Sequence, residues 1–182
     1  EWSYDTNGLI EKTANAISSD GEYIVAGSFD YRVYLFSKDS SSPLWSYYVG
    51  QRVTSVAISS DGEYIVAGNY QVGKIYVFGK NSSTPLWTYD TDDTILSLSM
   101  SANGDYIVAG SKDDSIYVFH RDDEDPLWTY ETGDEVRSVS ISANGDLIAA
   151  GSQDGNVYLF SRESSNPLWN YSAGSQILSV SI

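Results

Sequence analysis

Tryptophan recurs at positions 2, 45, 87, 128 and 169, at intervals of 43, 42, 41 and 41 residues. No other feature constrains the fold as tightly. A fixed period near forty residues means one supersecondary unit stacked on copies of itself. Two further markers keep step. The first is EYIVAG at 22–27 and 63–68, DYIVAG at 105–110 and DLIAAG at 146–151. The second is RVYLF, KIYVF, SIYVF and NVYLF, ending at Phe36, Phe78, Phe119 and Phe160. Proline stands at 43, 85, 126 and 167, each time as Pro-Leu-Trp.

Each period reads as four short strands, a to d. In the second, 53–59 (VTSVAIS) is apolar and β-branched, suited to burial on both faces. Asp61-Gly62 follows and reads as a two-residue type I′ hairpin turn, with counterparts at Asp20-Gly21, Asn103-Gly104 and Asn144-Gly145. Strand b is 63–68. In strand c, 74–78, Ile75 and Val77 face one way and Tyr76 and Phe78 the other. A polar loop leads to Pro85, which suits the start of an edge strand because it has no N–H to donate. Trp87 and Tyr89 are two apart on strand d and share a face.

A four-stranded antiparallel unit of this length is the blade of a β-propeller. A lone blade cannot bury both faces, whereas radial stacking does, with Trp, Tyr and Phe filling the gaps. A β-sandwich gives no reason for so regular a repeat. The expected fold is all-β: one propeller segment over 1–182, with blades at about 9–48, 51–90, 93–131 and 134–172. A lone strand d is expected at 1–5 and a lone strand a at 176–182. Such a segment is part of a larger ring, or completes one with a second copy. No signal segment is visible before the first motif.

SSDGEYIVAGSFDYRVYLF (18–36), SANGDYIVAGSKDDSIYVF (101–119) and SANGDLIAAGSQDGNVYLF (142–160) resemble WD-repeat propellers. The resemblance implies that Asp30, Asp113 and Asp154 bond backbone groups and pin the b–c turn. The second unit departs, with Asn69 for Ser and Tyr70-Gln71-Val72-Gly73 for the Asp turn. The WD family's Trp at the end of strand c is Phe in all four units, and its His before strand a is missing, so its side-chain network is incomplete here. Pro-Leu-Trp-x-Tyr on strand d is similar to quinoprotein-type (PQQ-like) propellers. The two likenesses span the chain and imply fold more than function.

Ten Lys and Arg stand against 25 Asp and Glu, a formal charge of −15. That balance disfavours nucleic acid and anionic lipid as partners. No apolar run approaches the roughly 18 residues of a membrane helix, so no membrane insertion is expected. Cysteine is absent, which removes disulfides and thiolate zinc sites. His120 is the single histidine and is read as a loop-edge residue, leaving no triad or multi-His metal site. No carboxylate pair is spaced for glycoside hydrolysis, and the glycines recur with the blade rather than as a phosphate loop. Catalytic residues, metal and cofactors are accordingly expected to be none.

The candidate contact face is acidic: Asp90, Asp92 and Asp93 in one d–a loop, Glu131, Asp134 and Glu135 in the next. Equivalent loops stand side by side round a propeller, so the clusters should merge and draw positive ligands. The run Asp122-Asp123-Glu124-Asp125 reads as an exposed c–d loop. Trp2, Trp45, Trp87, Trp128 and Trp169 read as inter-blade packing. Asn81 heads an accessible Asn-x-Ser sequon and Asn170 a second one on strand d. The sequence thus reads as a non-enzymatic scaffold for protein–protein interaction or cell-surface assembly, with a protein partner or self-association. An extracellular or cell-surface setting fits, the cytoplasm remaining open. The alternatives are a fragment of a quinoprotein-like oxidoreductase or hydrolase, whose site lies in other blades, and an engineered or excised propeller piece.

Overall fold

The structure, a computed structural model, describes residues 2–182, the side chains at 11–13 excepted. It is all-β, with four four-stranded antiparallel sheets. The first contains β1 (Ile10–Ile17), β2 (Tyr23–Ser28), β3 (Arg32–Ser37) and β4 (Trp45–Tyr48). The second contains β5 (Val53–Ile58), β6 (Tyr64–Asn69), β7 (Lys74–Gly79) and β8 (Trp87–Asp90). The third contains β9 (Ile95–Met100), β10 (Tyr106–Ser111), β11 (Ser115–His120) and β12 (Trp128–Glu131). The fourth contains β13 (Val136–Ile141), β14 (Leu147–Ser152), β15 (Asn156–Ser161) and β16 (Trp169–Ser172). Each sheet takes its strands in chain order, so one repeat makes one blade of a β-propeller.

The a–b connection differs from the two-residue turn that Asp-Gly suggests. A type I′ turn needs positive φ at both central residues, and only Gly62 has it, at 72°. Ser59 N donates to Tyr64 O (2.9 Å) and Gly62 N to Ser59 O (3.0 Å), giving a longer loop that ends on a left-handed glycine. The Asp61 carboxylate dictates this shape. It accepts from Ser59 Oγ (2.6 Å) and Glu63 N (3.0 Å), while Ser59 Oγ accepts from Tyr64 N (3.0 Å). Ser18 with Asp20, Ser101 with Asn103 and Ser142 with Asn144 repeat the arrangement.

The core lies between blades. One buried cluster joins Val25, Val33 and Leu35 of the first blade to Val53, Val56, Ile65, Ala67, Tyr76 and Phe78 of the second. Two more join the second blade to the third and the third to the fourth. Alternation along strand c feeds two of these clusters at once. Ile75 and Val77 enter one, Tyr76 and Phe78 the other. The indoles lie over the next blade's phenyl rings, with centroids 5.2 Å apart for Trp45–Phe78, 5.4 Å for Trp87–Phe119 and 5.3 Å for Trp128–Phe160. Each Nε1–H donates across the gap to a carbonyl: Trp45 to Lys80 O (2.7 Å), Trp87 to Arg121 O and Trp128 to Arg162 O (2.6 Å each). The polar end of the ring is satisfied while its body is packed.

Polar seams add register. Consecutive a–b loops are linked by Ser19 N to Ser60 O (2.9 Å), Ser60 N to Ala102 O (2.8 Å) and Ala102 N to Ala143 O (2.9 Å). Along the innermost strands, Ser55, Ser97 and Ser99 hydroxyls accept from Leu98, Val139 and Ile141 N. Glycine before the end of strand b is a matter of space. A Cβ on Gly68 would stand 2.5 Å from Ile95 Cγ2, because the next blade's first residue presses directly on that backbone.

The lone strands expected at the two extremes are not strands. Trp2–Asp5 and 176–182 belong to no sheet; Glu1 lies outside the described residues. Both still occupy interface positions. Trp2 packs on Phe36 (5.6 Å) and donates to Lys38 O (2.7 Å), as its counterparts do. Val180 N and Ile182 N donate to Ser138 and Ser140 Oγ (3.1 and 3.2 Å), repeating the seam of the complete blades. Trp169 is 49% exposed.

These contacts predict unequal tryptophans. Trp87→Ala should cost about 3 kcal/mol in urea unfolding, as for other large aromatic truncations in cores. Trp169→Ala should cost under about 0.5 kcal/mol, as at ordinary surface sites. Equal losses would contradict the interface assignment. Gly68→Ala should lower the unfolding midpoint more than Gly79→Ala, since an added Cβ at Gly79 meets nothing.

Candidate functional site

The b–c turns and d–a loops meet at one end of the blades. In the third blade Asp113 Oδ1 accepts from Ser115 N (3.0 Å), and Oδ2 accepts from Tyr117 Oη (2.9 Å) and from Asp92 N (3.1 Å) in the incoming d–a loop. Asp154 does the same in the fourth, accepting from Asn156 N (2.8 Å), Tyr158 Oη (2.6 Å) and Gly133 N (3.0 Å). Asp30 accepts from Arg32 N (3.1 Å) and Tyr34 Oη (2.6 Å). Each of the three aspartates thus bonds a backbone N–H of its own turn. A strand-c tyrosine supplies the side-chain partner that the missing Trp and His leave out. Burial raises the Asp154 pKa, but its hydrogen bonds outweigh that and hold the carboxyl below its usual range. Burial, then the bond to Asp154, pushes Tyr158 up to about 12.

The second blade solves the same problem differently. Asn69 Oδ1 accepts from Lys74 N (2.8 Å), and Tyr76 Oη donates to Val49 O (3.0 Å). Gln71 N donates to Thr94 Oγ1 (2.9 Å), tying the longer turn to the next d–a loop.

Asp92, Asp93, Asp134 and Glu135 lie in two adjoining d–a loops, whereas Asp90 and Glu131 are the last residues of β8 and β12, and the six are not equivalent. Asp90 pairs with Lys74 (3.0 Å). Glu135 pairs with Arg137 (2.7 Å) and lies 3.9 Å from Lys112. Asp93 Oδ1 accepts from Thr94 N and Oγ1, and Asp134 Oδ1 from Glu135 N. Asp92 and Glu131 are exposed, and among the described residues their carboxylates make no hydrogen bond or ion pair. Sequence reasoning missed Asp114, in the b–c turn of the third blade. Burial raises its pKa first, then the charges of Asp134, Asp113, Glu135 and Glu131. Its φ is +70°, a conformation that Asp tolerates better than most residues.

Above the first and second blades the same end has another chemistry. Tyr31 occupies the turn position where the fourth blade has Gly155, and it too has φ of +70°. A tyrosine held there costs on the order of 1 kcal/mol. Its ring is exposed and meets Tyr48 at 6.2 Å. Arg52 lies between Phe29 (4.9 Å) and Tyr70 (4.0 Å), and Arg32 over Tyr48 (5.8 Å). Aligning the repeats position by position would have shown this signal, as a tyrosine in a glycine place and an arginine where the later blades have Thr94 and Glu135.

His120 ends β11 at the opposite end, 3.8 Å from Asp122 and in edge contact with Tyr106. Asn81 is exposed in its c–d loop, beside an inter-blade cleft of about 400 Å³ bounded by Tyr23, Trp45 and Lys80. Asn170 is exposed on β16. Among the described residues no three His, Asp or Glu side chains converge as a metal-binding group.

Residues 9–37, the first a–b–c unit, match the WD domain, G-beta repeat. A chain of the solved structure "Crystal Structure of Mitotic Checkpoint Complex" superposes with a TM-score of 0.82 at 17% identity. The match covers 96% of this chain and 56% of that one, and at such identity the likeness is one of fold. No curated protein matches. Residues 29–181, most of the chain, match the repeat family described as outer membrane protein assembly factor BamB, and the chain belongs to that family of PQQ-type propeller repeats.

Proposed function

We propose that the chain is a non-enzymatic scaffold that binds a protein partner at the end where its d–a loops and b–c turns meet. The observation that carries this reading is the carboxylate field of the third and fourth blades. Asp92 and Glu131 are exposed and unneutralised, and Asp114 is crowded by like charges. A rigid surface of one sign raises the encounter rate with a basic partner and fixes its orientation. The match to the WD repeat and the structural neighbour found in a complex support an interaction role at the level of the fold. Asp90, Asp93, Asp134 and Glu135 build and shape the loops; Asp92, Glu131 and Asp114 are the residues left to meet a ligand. An extracellular or cell-surface setting belongs to the same proposal, with Asn81 as the accessible glycan acceptor; mass spectrometry of native material finding Asn81 unmodified would remove the glycan.

The test is charge reversal. Asp92→Lys with Glu131→Lys should weaken capture of a lysine- and arginine-rich peptide at least tenfold, with the unfolding midpoint unchanged. Unaltered capture would refute the acidic contact face.

The crowding of Asp114 makes a separate prediction about pH. Its folded pKa lies above the ordinary value, so the folded chain holds the proton more tightly than the unfolded chain. The charged form therefore costs stability at neutral pH, and the cost fades as pH falls through the raised pKa. Asp114→Asn should raise Tm at pH 7, and the gain should shrink toward pH 3. A lower Tm at pH 7, or a gain independent of pH, would contradict the crowding.

A further inference from the structure

Nine of the chain's Lys and Arg side chains are described, and seven of them sit within ion-pair distance of a carboxylate: Lys38, Lys74, Lys80, Lys112, Arg121, Arg137 and Arg162. The two without one are Arg32 and Arg52. In a chain with 25 acidic residues, that is a selective omission. Both lie at the contact end of the first two blades, and both are held against aromatic rings instead. The turn from Phe29 to Arg32 connects them. Phe29 touches Arg52 at one end of the turn, and Tyr31 and Arg32 both touch Tyr48 at the other.

We propose that this strip of Tyr70, Arg52, Phe29, Tyr31, Tyr48 and Arg32 docks an acidic segment of the protein partner. Three features converge on it. Stacking orders the Arg52 guanidinium without using its N–H fork, and Arg32 spends one Nη1–H on Ser46 Oγ (3.3 Å) and keeps the rest of its fork for a carboxylate. Tyr and Arg are among the residue types enriched at binding hot spots. The backbone strain at Tyr31 purchases no internal bond for the ring, which is turned outward. The same end then offers two halves of opposite character: aromatic and cationic over the first two blades, anionic over the last two. A partner carrying an acidic stretch beside a basic one is oriented by both. The inference rests on the reading that this end is the contact end, but it uses different residues from the acidic half.

Three labelled peptides separate the halves: Glu-Asp-Phe-Asp-Glu, Lys-Arg-Phe-Arg-Lys and Ser-Asn-Phe-Asn-Ser. Titration is by fluorescence anisotropy near 0.15 M salt, where the Debye length of about 8 Å screens the distant carboxylates. The acidic peptide should bind the intact chain more tightly than the neutral one. Arg52→Met, which keeps the packing stem, and Arg32→Met should each weaken it at least tenfold. Arg162→Met removes the same charge at the opposite end and should leave it within twofold. Failure of the acidic peptide to bind, or equal losses in all three variants, would overturn the strip. Failure of the basic peptide alone would count against the acidic half and leave the strip standing. Should Arg52→Met unfold, Arg52→Lys decides, since a lysine cannot form the bidentate bond and should also lose affinity.

Discussion

The structure depends on one contact made repeatedly: an indole on the last strand of a blade lying over a phenyl ring on the third strand of the next. A four-stranded sheet of this size is too thin to keep its own faces dry. It has no interior, and strand c sends Ile75 and Val77 one way and Tyr76 and Phe78 the other. Every cluster of hydrophobic burial that joins two blades therefore belongs to both. The Trp Nε1–H bond to a carbonyl of the neighbour fixes the sliding of one sheet over the next, because a buried indole N–H left unpaired is costly. The serine hydroxyls between adjacent innermost strands do the same near the axis.

With the blades locked, the loops at one end become a fixed surface, and charge decides what it can do. The d–a loops are anchored by turn aspartates that bond both their own turn and the incoming chain. Those bonds use up part of the acidic surplus, and lysines and arginines use up more. What remains is small and placed: Asp92, Glu131 and Asp114 over the later blades, Arg32 and Arg52 over the earlier ones. Net charge describes solubility; the unneutralised residues are what the proposed contact end leaves open to a ligand.

The fold was legible because its signal is periodic. Spacing and alternation located the four strands of each blade and the facing of residues on strand c, since a period survives local noise, but not the unpaired segments at 2–5 and 176–182. The turn type was not legible, because Asp-Gly suits more than one loop, and the choice lay in a serine two residues upstream whose hydroxyl reorganises the backbone. For the candidate site, the sequence shows which acidic residues cluster but not which of them are neutralised. Counting carboxylates cannot tell Glu135, neutralised by Arg137, from Glu131, which makes no ion pair among the described residues. Nor does a list of acidic residues draw the eye to Arg52, whose meaning comes from its two aromatic neighbours in space.

The account stands or falls on whether the blades are held together by that ring contact. A double-mutant cycle on Trp45 and Phe78, with Trp45→Leu and Phe78→Leu singly and together, measures it by urea unfolding. The two rings lie 5.2 Å apart in different blades. A favourable coupling of about 0.5–1.5 kcal/mol beyond area burial is predicted for such a pair. Strictly additive losses would mean that the two side chains stabilise their own sheets independently, and would contradict the interface described above.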